Sequence, residues 1–190
     1  MRENSRYRCA WAETNELLLT YHDTEWGVPA HDDRHLFELF NLEGAQAGLS
    51  WLTILARRDS YRKAFDNFDA KKIAQYDDDR RETLLEDASI IRNRLKINAV
   101  IENAKAYLTM QQKHGSFDNY LWNFVHGRHL TQADHLIAVE TSEQMSKAFK
   151  KDGFRFIGPT TCYAFMQATG MINDHITSCF RYKEIETQEL

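Results

Sequence analysis

The sequence predicts an all-α protein, and three observations carry that expectation. Apolar residues recur at three- and four-residue spacing over long stretches, no segment alternates convincingly between apolar and polar, and capping residues punctuate the periodic runs. No repeat or low-complexity linker interrupts the 190 residues. One domain spanning 1–190 is therefore expected, with a helical core over about 33–170.

The N-terminal approach is aromatic, with Tyr7 and Trp11 flanking Cys9 before Leu17-Leu18-Leu19 and Tyr21-His22. Asp23-Thr24-Glu25-Trp26-Gly27-Val28-Pro29 then combines acids, glycine and one of only two prolines, which marks a turn. An amphipathic helix starts at about Asp33, with Leu36, Phe37, Leu39 and Phe40 on its apolar face. A second leaves from Ser50 (Trp51, Leu52, Ile54, Leu55) and is expected to reach about Phe65. Asp69 suits the N-cap of a short helix through Tyr76, and Asp79 that of the next, with Leu84, Leu85 and Ala88 on one face. The longest helix is predicted over Arg94 to Lys113, where Ile97, Val100, Ile101, Ala104, Tyr107 and Leu108 share a stripe and Gly115 closes it. Ser116 can cap Asn119 to Val125. Thr141 followed by Gln144 fits a capping box, opening a helix that ends near Gly153.

One stretch breaks this regularity. Leu42-Glu43-Gly44-Ala45-Gln46-Ala47-Gly48-Leu49-Ser50-Trp51 carries two glycines, one acid and a tryptophan where two helices meet. Glu43 lies among apolar neighbours, and a buried, ionised, unpaired carboxylate is costly. It is paired or functional, or else a partly solvated residue at a helix end.

Ser142–Gly170 has the layout of a helix-hairpin-helix. A lysine-bearing helix stops at Gly153, Phe154-Arg155-Phe156-Ile157-Gly158 turns, and Pro159 takes the first position of the next helix, where its missing N–H is not needed. The N–H groups around Ile157 and Gly158 and at the second helix's start, with the Thr160 and Thr161 hydroxyls, suit a DNA phosphate. Such a contact recognises backbone and not sequence. A plain αα-hairpin with glycine caps is the alternative.

Net charge is −4, so affinity for nucleic acid has to come from local basic patches such as Arg92, Arg94 and Lys96, or Lys147, Lys150, Lys151 and Arg155. No apolar run is long enough to span a bilayer, and Met1-Arg-Glu-Asn-Ser has no apolar signal core, so a cytoplasmic protein is expected. Monomer is the default, because no long heptad or apolar stripe is evident.

Three widely spaced cysteines argue against a disulfide framework and leave room for a metal. His175 and Cys179, four apart, would point the same way from a helix, and Cys9 and His22 offer a second pair. Together they compose a Cys2His2 tetrahedral set, a structural zinc composition joining the termini at about 1–30 and 171–190. The alternative is buried thiols beside merely polar imidazoles. Cys162 is assigned to the core. A zinc deaminase is disfavoured, since its His-x-Glu and Pro-Cys-x-x-Cys signatures are missing.

Taken in order, Arg8-Cys9-Ala10-Trp11, Tyr21-His22-Asp23-x-Glu25-Trp26-Gly27-Val28-Pro29, Leu42-Glu43-Gly44-x-Gln46-Ala47-Gly48-Leu49-Ser50-Trp51, Ile90-Ile91-Arg92-x-Arg94-x-Lys96-Ile97 and Phe156-Ile157-Gly158 through Asn173-Asp174-His175 resemble the bacterial 3-methyladenine DNA glycosylase I family. The resemblance implies a helix-hairpin-helix glycosylase whose zinc ligands are Cys9, His22, His175 and Cys179. It implies a pocket for an extruded base lined by Trp11, Tyr21, Glu43 and Trp51, and a loop at Gly48 and Leu49 that enters the space the base leaves. Two departures stand out: Leu18 lies where some relatives place an aromatic, and Pro159 removes one N–H after the hairpin glycine. The family gives Asp174 no catalytic role.

The implied substrate is double-stranded alkylated DNA and the product free 3-methyladenine. That base is positively charged while attached to sugar and is already a good leaving group. Glu43 is expected to be the principal acid, binding the Watson–Crick edge, with no strong general base. Two other readings compete: a zinc-containing helical DNA-binding module without catalysis, and a helical protein whose aromatic pocket holds a cationic metabolite.

Overall fold

A computed structural model describes residues 6–187. After a 3-10 turn over Ala10–Thr14, α1 (Glu16–Thr24) begins where the Asn15 side chain accepts the Leu17 N–H. α2 (Asp33–Gln46) starts on Asp32, whose carboxylate accepts the His35 N–H at 2.7 Å. It runs through Gly44 without a break, so Glu43 lies inside its last turn. Ser50 caps α3 (Trp51–Leu55) by accepting from Thr53 N, and α4 (Arg58–Ala64) follows. The predicted helix over Ser50 to Phe65 is thus two. Arg57, at φ −109° and ψ 4°, breaks it, and its guanidinium donates to the Thr53 carbonyl. The break turns Arg58 inward, where it donates to Glu38 at 2.5 Å and to Glu25 at 2.6 Å. A buried ion cluster decides the bend, which propensity alone does not signal.

Asp69 caps α5 (Ala70–Ile73), as the sequence suggests. α6 (Asp78–Glu86) is capped by Asp77 and not Asp79, so two further acids fall in its first turn, where the helix dipole favours them. α7 (Arg94–His114) ends at Gly115 with φ +84°, and Ser116 caps α8 (Phe117–Trp122). α9 (His135–Lys151) begins well before Thr141, which is buried mid-helix. The capping box lies upstream, where Thr131 and Asp134 satisfy each other's backbone. α10 (Pro159–Ala168) has proline in its first turn and α11 (Phe180–Glu186) closes the described chain.

The structure also holds two two-residue strands, β1 (Leu130–Thr131) and β2 (Ile172–Asn173), paired in parallel. They are too short to leave an alternating pattern in the sequence.

Helices α2, α7, α8, α9 and α10 enclose a hydrophobic core that extends from Leu36 to Ile172. Phe40 is at its centre, with the rings of Phe149, Phe154, Phe165 and Phe117 at centroid distances of 5.1, 5.0, 5.6 and 6.1 Å. Cys162 is fully buried here, as expected of a core thiol.

The two ends of the described chain meet across this core. Gly27 N–H donates to Gln167 O, Ala30 N–H to Thr169 O and Phe180 N–H to Tyr7 O. Gly170 (φ +70°) lies so close to this seam that an added Cβ would be 2.4 Å from the backbone of Val28 and Pro29. Gly170→Ala is therefore expected to cost about 3 kcal/mol or more from clash and left-handed strain together, read from urea unfolding. A loss under about 1 kcal/mol would show that the seam yields.

Candidate active site and metal centre

Four aromatic and acidic positions predicted from the sequence converge on one cavity of about 290 Å³. Trp11, Tyr21, Glu43 and Trp51 line it together with Trp26, Gln46, Ala164 and Gln167. Each comes from a different local cause. Trp11 is held by the 3-10 turn and Tyr21 by α1, Glu43 projects from the last turn of α2, and Trp51 opens α3 just after its serine cap. Tyr21 and Trp51 pack at a centroid distance of 5.4 Å. Leu18 does not line the cavity.

Glu43 is the only ionisable acid or base among the lining residues besides the Tyr21 phenol. Its carboxyl is buried and has no hydrogen-bond or ion-pair partner among the described residues. Burial raises it from 4.5 to about 8. Two buried donors nearby are also unpartnered, Tyr21 Oη and Trp51 Nε1. Burial, with the neighbouring Glu43, pushes the Tyr21 phenol well above its ordinary value. Unmet polar groups in one cavity are a binding edge waiting for a partner.

A second cavity of about 200 Å³ shares Glu43, Gln46 and Ala164 with the first and is lined further by Ala47, Gly48, Leu49, Thr160 and Thr161. The α2–α3 turn and the start of α10 therefore form one rim. Leu49 is 39% exposed at its edge, and Gly48 has φ +79°. Across the rim, α9 and α10 are joined by the turn Asp152–Gly158. The N–H groups of Thr160 and Thr161 have no partner among the described residues. Ile157 is only 3% exposed and its carbonyl accepts from Ser146 Oγ at 3.1 Å, so this predicted contact residue serves the core and is not presented at the surface. Lys147, Lys150, Lys151 and Arg155 are all exposed beside this turn. The other predicted basic cluster is largely engaged: Arg94 pairs with Glu82 at 2.6 Å, and Lys96 donates to backbone carbonyls of Ala45 and Ala47.

Behind the cavity, Cys9, His22, His175 and Cys179 are all buried, with ligand atoms within 4.8 Å of one another. His175 and Cys179 do not lie on a helix, contrary to the sequence expectation. They occupy the loop between β2 and α11, and Cys179 is the N-cap of α11. The loop still brings Cys179 Sγ to 3.6 Å from His175 Nδ1. The outer nitrogens are fixed as well. His22 Nδ1 is 2.8 Å from Asp23, which a bidentate Arg8 holds, and His175 Nε2 is 3.0 Å from the Trp26 carbonyl. Burial lowers the pKa of His22 and takes that of His175 down to about 4, so both imidazoles are neutral. This group can hold a metal ion. It also supports the cavity: Trp11 packs edge-on against His22 at 5.3 Å and Trp26 against His175 at 4.5 Å.

Trp26, Gln46 and Gln167 were not among the predicted site residues. Gln46 was within reach, being one helical turn from Glu43 on the same face. Trp26 lies four residues after the predicted metal ligand His22, within the Tyr21–Pro29 motif. Gln167 carries no local signal.

The fold and cavity define a class: a mostly helical protein with a cavity walled by indole and phenol rings around a buried acid. The methyladenine glycosylase family profile matches residues 11–182. The chain is 48% identical to DNA-3-methyladenine glycosylase 1 of Escherichia coli (strain K12), over 92% of this chain and 96% of that one. It superposes with a TM-score of 0.87 on a crystal structure of 3-methyladenine DNA glycosylase I at 47% identity, covering 92% of this chain and 98% of the other. A Staphylococcus aureus 3-methyladenine DNA glycosylase I, solved for the basis of its 3-methyladenine recognition, gives 0.87 at 36% identity, with coverage of 93% and 97%. The chain belongs to the methyladenine glycosylase family.

Proposed function

We propose that this protein is a monofunctional DNA glycosylase of base-excision repair that flips 3-methyladenine out of alkylated double-stranded DNA and hydrolyses its N-glycosidic bond. One observation carries this reading beyond kinship: a buried, partnerless carboxyl at Glu43 in an aromatic cavity that no lysine, arginine or histidine lines. Such a site gains most from a ring bearing positive charge, through stacking, cation–π attraction and the carboxylate itself. Neutral adenine offers none of the charge terms.

In the reaction, water adds at C1′ of the sugar and gives up one proton to solvent, while the base departs with the bonding pair, which neutralises its positive charge. The leaving group is good, so the protein has to extrude, hold and discriminate. Glu43 accepts hydrogen bonds from the exocyclic amino edge, while Tyr21 Oη and Trp51 Nε1 supply the unmet donors. Trp11 and Trp51 wall the ring. Gly48 and Leu49 enter the vacated stack. The backbone at Gly158, with Thr160 and Thr161, grips a phosphate while Ile157 anchors the turn in the core, and the lysines of α9 supply local charge against the overall −4. We read the working unit as a cytoplasmic monomer.

We assign the buried Cys9, His22, His175 and Cys179 to one structural zinc ion per chain. For zinc bonded to sulfur at about 2.3 Å and nitrogen at about 2.0–2.1 Å, tetrahedral edges are about 3.3 Å between nitrogens and about 3.6 Å between nitrogen and sulfur. His22 Nε2 and His175 Nδ1 are 3.1 Å apart, three of the four nitrogen–sulfur separations are 3.5, 3.6 and 3.7 Å, and all four ligand atoms lie within 4.8 Å of one another. Asp23 and the Trp26 carbonyl orient the outer nitrogens, as partners of metal-bound imidazoles do. Four protein ligands leave no place for water, so the ion's part is to tie the two ends of the chain together.

The decisive measurement is incubation with methylated duplex DNA and chromatography of the liberated bases. Free 3-methyladenine should appear with multiple turnovers. DNA binding with no released base would instead leave a zinc-stapled binding module, and the glycosylase reading would fall.

A further inference from the structure

Lys96 sits where its own helix disfavours it. It occupies the first turn of α7, whose unpaired N–H groups form a positive end, and no carboxylate pairs with it among the described residues. Its ammonium instead reaches across to the far end of α2, where Nζ donates to Ala45 O at 2.8 Å and Ala47 O at 2.7 Å. The last turn of a helix leaves carbonyls without intrahelical donors and favours a cation, so Lys96 acts as a cap supplied from another helix.

What this cap holds is the turn that carries Leu49. Ala47 is the C-cap of α2, Gly48 follows at φ +79°, and Leu49 N–H returns to Gln46 O. Packing contributes little: residues 47–50 are exposed, and a Cβ added to Gly48 would meet nothing within 4 Å. Among the described residues, Lys96 is the side chain from outside the α2–α3 connection that hydrogen-bonds to it. Lys96 does not line the base cavity.

We infer that Lys96 is a positioning residue for base extrusion: by clamping Ala45 and Ala47 it holds the Gly48–Leu49 turn in the shape that wedges into the stack. The inference rests on the proposed function and deepens it, because it separates the residues that open the duplex from those that recognise the base. A wedge that must be ordered at the moment of insertion loses part of its gain to conformational entropy, and an ordered one does not.

Lys96→Met keeps the apolar stem and removes the donors. The expected result is 3-methyladenine binding within about twofold of wild type, with single-turnover excision from duplex DNA slowed about tenfold or more, the size of a lost charged hydrogen bond. Equal losses in both, or an unchanged excision rate, overturn the inference. A direct phosphate contact by Lys96 is a separate outcome: it would reduce the slope of log affinity against log salt by about 0.9, and this too overturns it, since an unchanged slope is expected. A second variant tests the route. If Lys96 works through Leu49, Leu49→Ala/Lys96→Met should be no more than about twofold slower than Leu49→Ala alone, whereas multiplied losses refute the route. Wild-type protein that releases no 3-methyladenine from duplex DNA removes the glycosylase reading itself. Active wild type with an equally active Lys96→Met removes only the role of Lys96.

Discussion

Replacing Glu43 with glutamine is expected to slow excision of 3-methyladenine by about ten- to a thousandfold, with a parallel loss of affinity for the base, on the scale of a charged hydrogen bond in a buried site. The substitution keeps shape and one acceptor but removes the charge. Wild type should also show a pH signature that the variant lacks. Burial raises the Glu43 carboxyl to about 8, so the empty pocket holds a proton at neutral pH. The unfolded chain has lost that proton above about 4.5, the ordinary value. Folding therefore takes up a proton between those values, and the stability contributed by this group falls as pH rises from about 4.5 to about 8. A cationic base reverses the preference, because an opposite charge favours the carboxylate. Excision by wild type at limiting DNA should rise with pH toward about 8, while Glu43→Gln should be flat across that range. An unchanged rate and unchanged base affinity in Glu43→Gln would take this residue out of the mechanism.

The second large effect belongs to the proposed zinc site formed by Cys9, His22, His175 and Cys179. Cys179→Ala should abolish stoichiometric zinc in elemental analysis and lower the melting temperature by about 10 °C, since the clip closes nearly the whole chain and each kcal/mol is worth about 2–4 °C at this size. Emptying the cluster of metal would leave the Cys9 thiol, whose pKa burial has pushed up to about 11, against neutral imidazoles with no cation to organise them. Trp11 and Trp26 rest on His22 and His175, so 3-methyladenine affinity should weaken as well. A chelator that strips the wild-type ion should reproduce both losses. If the ligands form only a buried thiol–imidazole cluster, Cys179→Ala would cost about 1 kcal/mol of packing and leave metal content unchanged.

Much of this architecture was legible before any coordinates. Ser50, Asp69, Ser116, Gly115 and Pro159 act where the sequence suggests, because a cap or a stop is settled by one side chain and the backbone groups beside it. Glu43 could be singled out because a carboxylate among apolar neighbours is costly wherever the chain puts it. The misplaced boundaries have a common cause. Asp77 outcompetes Asp79 as a cap, Thr141 matches a capping pattern inside a longer helix, and Arg57 breaks a periodic run so that Arg58 can meet Glu25 and Glu38. Local pattern names several candidates for such a site, and packing chooses among them.

The sequence by itself determined the helical class, several helix caps, and the residue types of an acid-bearing aromatic pocket and a Cys2His2 set. Tertiary structure decided what those residues do together. It joined His22 and Cys9 to a histidine 153 and 166 residues away, added Trp26, Gln46 and Gln167 to the cavity wall, and turned Lys96 from a surface cation into a clamp. The physical reason is range. Caps and periodicity act within a few residues, whereas burial, unmet hydrogen bonds and metal-ligand geometry depend on atoms that only folding brings near.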